Sequence, residues 1–188
     1  MTNIQDFFKK YRLKYGKLNK SQVIGLEFLI NNMQAIDKRH ASYMLATVKH
    51  ECADKWQPIV EFGKKSYFDK YEPGTRIGTR LGNTKKGDGY LYRGRSFVQI
   101  TGRANYKRLG AVLTVPKDLV ANPDLCLDKW VAAEIMQTGM NLGLFTGKKL
   151  SDYINDDKCD YVNARRIING MDQAKLIAGY AEFFESIL

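Results

Sequence analysis

Two glutamates ten residues apart, Glu51 and Glu61, stand in the stretch HECADKWQPIVEFG, which runs from His50 to Gly63. A pair of carboxyl groups can hydrolyse an acetal: one, protonated, donates to the leaving oxygen, while the other, ionised, attacks or activates water. Glu51 ends an amphipathic helical pattern, whereas Glu61 lies beyond Pro58 at the mouth of a glycine-rich segment. Ideal helical geometry sets Glu51 about 20° from Met44, at the edge of the apolar stripe, where partial desolvation favours a protonated carboxyl. Taken alone the pair is a weak signal. The chain holds 20 Asp+Glu, and Asp54, Asp69 and Glu72 are equal candidates for the second carboxylate. A solvated or salt-bridged residue near a helix end is the simpler account of Glu51 by itself.

The elements that must carry these groups follow from periodicity. Val23, Leu26, Ile30 and Met33 recur at helical spacing and predict a helix from Ser21, as N-cap, to about Asp37. Ala41, Met44, Leu45, Val48 and Cys52 predict a second helix over Arg39 to Cys52. From Phe62 to Gly102 the character changes: half of the 16 glycines fall here, interleaved with Tyr67, Phe68, Tyr71, Tyr90, Tyr92 and Phe97. So long a segment without regular structure, yet rich in rings, reads as a binding surface. Only SFVQIT, Ser96 to Thr101, has strand character, and it is expected to pair with GYLY as a short hairpin. Helices are predicted again over Asp128 to Leu142, Asp160 to Ile168 and Asp172 to Leu188, the last with Ile177, Tyr180, Phe184 and Ile187 on one face. The expected fold is mainly α with one irregular lobe. A single domain over 1–188 is expected, with residues 1–20 as an N-terminal extension and 62–102 as the loop lobe.

Thirty Lys+Arg against those acids leave a net charge of +10, a surplus that suits an anionic polymer or serves solubility. The three cysteines, Cys52, Cys126 and Cys159, are widely spaced and form no CxxC pair, and His40 and His50 add no metal pattern. A disulfide framework or zinc site is therefore not expected, and synthesis in a reducing compartment is. The first 20 residues lack the apolar core of a signal peptide, and no stretch has the apolar length of a membrane span.

HECADKWQPIVEFG, then GDGYLYRGRSFVQITGRANY, then RRIINGMD resemble, in that order, the family 19 glycoside hydrolases, and the phage and bacterial lysozyme-like endolysin branch more than plant chitinases. The motifs run from about His50 to Gly170, and the YRGR and VQITGRANY block is the most specific part. The resemblance implies a lysozyme-like, mainly helical, two-lobed fold with a substrate cleft, and hydrolysis with inversion. It makes Glu51 the general acid, Glu61 the general base, and Thr101 a hydroxyl that helps hold the attacking water. Gln99, Asn105 and His50 match positions that hydrogen-bond sugar, and Asn169 matches one near water and substrate. In an inverting enzyme the carboxyls stand about 6.5–9.5 Å apart to admit that water.

Other roles stay open at this point. Tyr92 is balanced between packing in the core and stacking on a sugar face, and Gln99 could brace the hairpin backbone. Arg93 and Arg95 are expected in carboxylate pairs. Arg165 and Arg166 could face a cleft or lie on a helix surface. The chain departs from the family pattern at Ser96, where relatives usually have glycine, and at Met171 after ING. Asp172 and Lys175 only approximate an acid and an arginine of the plant members.

The expected protein is thus a phage-type endolysin that cuts β-1,4 bonds of peptidoglycan glycan strands, with chitin as the alternative substrate. It is expected to be a monomer without a metal or organic cofactor, made in the host cytoplasm and acting on the wall or periplasm after release. A basic nucleic-acid-binding protein and a binding-only wall module are the rival classes. No recognition helix or single-strand motif supports the first, and retention of both glutamates and Thr101 speaks against the second.

Overall fold

The computed structural model describes residues 3–33 and 37–188. Its helices are α1 (Ile4–Tyr15), α2 (Lys20–Asn32), α3 (Lys38–Glu51), α4 (Arg76–Arg80), α5 (Asp88–Leu91), α6 (Arg103–Val112), α7 (Lys129–Leu142), α8 (Tyr161–Ala164) and α9 (Ala174–Ile187). Four 3-10 segments accompany them, at Lys65–Tyr71, Pro123–Leu127, Leu150–Asp152 and Arg165–Ile167. The fold is mainly α, as expected. No hairpin forms: among the described residues, pairing is limited to two isolated bridges, Arg95 with Ile100 and Ile154 with Cys159. Between the first two partners Ser96–Gln99 make a turn, because Ser96 (φ 76°) and Gln99 (φ 53°) leave the extended region a strand requires. Gly89 to Leu91 of GYLY are helical, in α5, and Tyr92 is its C-cap.

The chain divides into two compact units, residues 1–57 with 140–188, and residues 58–139. In the first unit α9 packs along α3 and also against α8 and α1. α3 is more deeply placed than a single apolar stripe suggests, since every residue from Ser42 to Lys49 is buried. Its polar members therefore need internal partners. Ser42 and Thr47 donate to the carbonyls of Lys38 and Tyr43. Lys49 reaches Asp54 Oδ1 at 2.9 Å and the Tyr11 hydroxyl at 3.1 Å, with the rings of Tyr15 and Tyr180 beside its ammonium at 4.0 and 5.3 Å. That buried ammonium joins α1, α3 and α9.

The segment expected to be an N-terminal extension is part of this core. Asn3 caps α1 by accepting from the amides of Gln5 and Asp6, and Phe7, Phe8 and Tyr11 are buried against Trp56 and Phe184, among others. Residues 1–2 lie outside the described ones. α2 begins not at Ser21 but after Asn19, which forms a reciprocal capping box with Gln22. It ends at Asn32; the predicted continuation across 34–36 lies outside the described residues. The helix expected over Asp160 to Ile168 splits into α8 and a 3-10 turn. In the second unit, α4 and α5 pack on the 3-10 turn Lys65–Tyr71, so the glycine-rich stretch is a set of short helical turns.

Trp56 closes the loop after α3, with its carbonyl lodged on α2 at Gly25. A Cβ at Gly25 would stand 1.8 Å from that oxygen. Gly25→Ala is therefore expected to destabilise the protein by about 2–3 kcal/mol despite the better helix propensity of alanine. Gly179→Ala, on an open face of α9 with nothing within 4 Å, should instead stabilise by about 0.5–1 kcal/mol. Urea unfolding of both variants checks this pair of opposite signs; equal effects would rule out the close approach at Gly25.

Candidate active site

In the first unit the last turn of α3 delivers Glu51. Its side chain is 16% exposed, and its Oε1 lies 2.6 Å from Arg165 Nη1. Arg165, whose side chain is 3% exposed, also donates from Nε to the carbonyl of Asp172. Its own carbonyl accepts from the amides of Ile168 and Asn169, so the RRIING motif winds around the arginine. Glu51 is thus a partly buried carboxyl with a paired oxygen, Oε1, and a second one, Oε2, that accepts from no protein donor among the described residues. Arg165 is the cleft-or-surface arginine of the sequence, and it is buried. Arg166 is exposed and donates to Asn163. The Asn169 side chain is exposed and caps its own turn by accepting from the Gly170 amide at 2.9 Å. His50 is half-buried, one residue before Glu51.

In the second unit Glu61 sits in a loop and yet is pinned. Its amide donates to the Gly94 carbonyl at 2.7 Å, its Oε2 accepts from the Gly94 amide at 3.0 Å, and its Oε1 accepts from the Tyr71 hydroxyl at 3.3 Å. A Cβ at Gly94 would meet Gln99 Oε1 at 2.7 Å and the Glu61 side chain at 3.1 Å, so only glycine lets the loop come this close. Burial and the Glu61 charge both raise the pKa of Tyr71, which keeps it a neutral donor. Phe62, next in the chain, is 98% exposed. Tyr71, Gly94 and Phe62 were not singled out for the site by sequence. For Gly94, a glycine between two arginines in YRGR was the available signal.

The turn that replaces the expected strand carries the other polar residues. Gln99 Nε2 donates to the carbonyls of Ile59 and Ser96, Thr101 Oγ1 to the carbonyl of Gln99, and Asn105 Nδ2 to the carbonyl of Thr101. Gln99 thus ties the turn to the loop that holds Glu61, and Thr101 and Asn105 follow it in one chain of hydrogen bonds. Tyr92 is a correction. It is 2% exposed, its hydroxyl donates to the Val120 carbonyl, and its ring lies beside Tyr106 and the Arg103 guanidinium, so it packs and offers no face to a sugar. Arg95 is buried and structural, paired with Asp124 and donating to the Leu91 carbonyl. Arg93 lies over the Tyr90 ring at 4.0 Å, a ring contact where a carboxylate pair was expected. Among the described residues no group of acids, histidines and cysteines is placed to hold a metal ion, and no helix is long and apolar enough to cross a membrane.

No family model matches the chain. Over 52 residues, 24% of the chain, it is 50% identical to a glycosyl hydrolase family 19 domain-containing protein of Haemophilus influenzae, and the match spans 26% of that protein's length. Its fold is similar to chitinase C from Streptomyces griseus HUT6037, with a TM-score of 0.63 and 20% identity over 99% of this chain and 91% of that one. A mutant form of chitinase C gives a TM-score of 0.55 at 17% identity over the same shares. The resemblance to family 19 read from the motifs therefore holds in sequence over a limited stretch and in fold over nearly the whole chain.

One buried carboxylate supports this arrangement without belonging to it. Asp88 accepts from Arg103 Nη2 at 2.6 Å and Nε at 2.8 Å, and from the amides of Thr84 and Lys85. Burial alone would raise its pKa; the Arg103 contact and the two amides overcome this and hold it at about 2. A folded-state value below the unfolded one stabilises the protein above about pH 4, and that gain disappears as pH falls through about 2. Asp88→Asn is expected to cost about 2 kcal/mol at pH 7 and progressively less toward pH 2. Denaturant midpoints of both proteins across that range test it, and a gap that does not change with pH would exclude the assigned cause.

Proposed function

We propose that the protein is a glycoside hydrolase that opens β-1,4 bonds in peptidoglycan glycan strands by a single displacement with inversion. The carrying observation is the contrast between its two glutamates, one half-buried on a helix against Arg165 and one held ready to accept by Gly94 and Tyr71. Protonated Glu51 gives its proton from Oε2 to the glycosidic oxygen as the C–O bond breaks. Glu61 takes a proton from the water whose oxygen attacks the anomeric carbon from the opposite face. Glu51 is left anionic, and Arg165 at 2.6 Å meets that charge as it forms, where a preorganised cation does the most for the transition state. Glu61 ends protonated, and solvent exchange returns one proton to Glu51 and removes one from Glu61. No metal or organic cofactor enters the scheme.

The side chains of Thr101, Gln99 and Asn105 supply hydroxyl and amide groups suited to water and sugar hydroxyls, with His50 and Asn169 in the same role beside Glu51. With Tyr92 buried, the exposed ring of Phe62 beside Glu61 is the better platform for a sugar face. Peptidoglycan is preferred to chitin on the strength of the endolysin-like motifs and the +10 charge, which would concentrate the protein on an anionic wall. Production in a host cytoplasm and release to the wall complete the reading.

Glu51→Gln is expected to lower lysis by about a thousandfold or more and Glu61→Gln by about a hundredfold or more, with Thr101→Val costing about tenfold. Turbidity loss of permeabilised cells, run beside a chitin-oligosaccharide assay, measures all three, and chitin cleavage without lysis would replace the substrate. NMR of the first product should show the α-anomer; a β-anomer would overturn single displacement. Mass spectrometry of borohydride-reduced digests then names the bond cut.

A further inference from the structure

In the second unit a cavity of about 760 Å³ is lined by Lys70, Thr75, Arg76, Ile77 and Arg80, three cations and no acid. Arg76 and Arg80 stand one turn apart on α4, where like charges repel. Among the described residues neither has a carboxylate partner, in contrast to Arg39, Arg95, Arg103 and Arg165. Lys70 is positioned by rings: its Nζ lies 3.5 Å from the centre of Tyr67 and 4.8 Å from that of Tyr71. Burial works against the charge of Lys70, but these contacts outweigh it and keep the ammonium protonated. Tyr71 in turn donates to Glu61, so contacts through Tyr71 link Lys70 of the cavity to the proposed base. The next cavity along, lined by Lys65, Asp69, Glu72 and Lys86 among others, mixes both signs.

We propose that this cavity is a subsite for a carboxylate carried by the substrate strand, such as a free carboxyl on a peptide joined to a sugar, and that it selects acidic over neutral strands. The planar guanidinium groups of Arg76 and Arg80 can each meet a carboxylate with two parallel hydrogen bonds, and Lys70 adds a point charge. The volume is in the range of a site for one substituted sugar. The link from Lys70 through Tyr71 to Glu61 makes the inference rest on the hydrolase reading, but the binding itself can be tested without turnover.

The Nε–Hε NMR signals of the arginines, assigned with Arg76→Gln and Arg80→Gln, are followed while N-acetylmuramoyl-L-alanyl-D-glutamate, N-acetylglucosamine or inorganic phosphate is added at constant ionic strength. Both signals should move with the acidic muramoyl peptide and stay in place with N-acetylglucosamine. No movement, or equal movement with phosphate, would overturn a subsite for a strand-borne carboxylate. In the second arm the double variant should lose about tenfold in the ratio of kcat/KM on peptidoglycan to kcat/KM on chitin oligosaccharides. Amidation of the peptidoglycan carboxyls should remove the difference between variant and parent, and an unchanged ratio would overturn the selective role. If the parent cleaves neither glycan, the hydrolase reading fails, while the NMR titration still decides the subsite.

Discussion

A guanidinium with 3% of its side chain exposed cannot be left without acceptors, because a buried charge with no partner costs several kcal/mol. Arg165 takes Glu51 Oε1 as one such acceptor across 114 residues of chain, and much of the first unit is arranged to bring the two together. α3 must be long enough to present Glu51 on its last turn, and the short helix α8 must stop so that a 3-10 turn can aim Arg165 inward. The backbone of the ING segment then closes over the arginine through the amides of Ile168 and Asn169. The pair also narrows what Glu51 can do. With Oε1 committed, one oxygen remains for a proton, and its direction is set by a bidentate-capable cation.

The second unit solves the opposite problem, holding a carboxylate on a loop. A side chain carried by irregular backbone is placed less well than one on a helix, and the compensation here is a close approach. Both the amide and the carbonyl of Gly94 bond to Glu61, once through its main chain and once through its side chain. This works only without a Cβ at residue 94, and only if the turn carrying Gln99 folds back to the carbonyl of Ile59. That turn in its place needs left-handed backbone at Ser96 and Gln99, each worth roughly 1–2 kcal/mol of strain for a residue with a side chain. Strain of this kind persists where surrounding contacts outweigh it, and it tends to collect near functional groups.

The same distinction explains what could be read from the sequence. Helices α3, α7 and α9 were legible because their apolar spacing is sustained over three or more turns. Helices of four or five residues such as α4, α5 and α8 are too short for a period to show. Lysines and an arginine among its aromatic residues masked α1, whose Phe7 and Tyr11 turn out to be core. SFVQIT reads as a strand by composition, but composition does not report φ, and the usual glycine of relatives at position 96 was the physical clue that it would turn. The glutamates and the Gln99, Thr101 and Asn105 series came from ordered motifs. Arg165, Tyr71 and the burial of Tyr92 depend on long-range packing that no local window contains.

Charge placement in the molecule then divides by depth. Lys49, Arg95, Arg103 and Arg165 each have a carboxylate in contact, and all four are also braced by rings or carbonyls that hold their geometry. These cations hold the fold, Arg165 in addition to its proposed part beside Glu51, and removing one would leave its partner without the contact that offsets its burial. The surplus of positive charge therefore falls to residues such as Arg76 and Arg80, which meet solvent and have no internal anion. A net charge of +10 is in this sense a property of the surface rather than of the fold. Charges of that kind act on a partner through a field that salt screens within about 10 Å. A polymer that carries its own anions along its length can meet such a field at many points at once, which a small neutral oligosaccharide cannot.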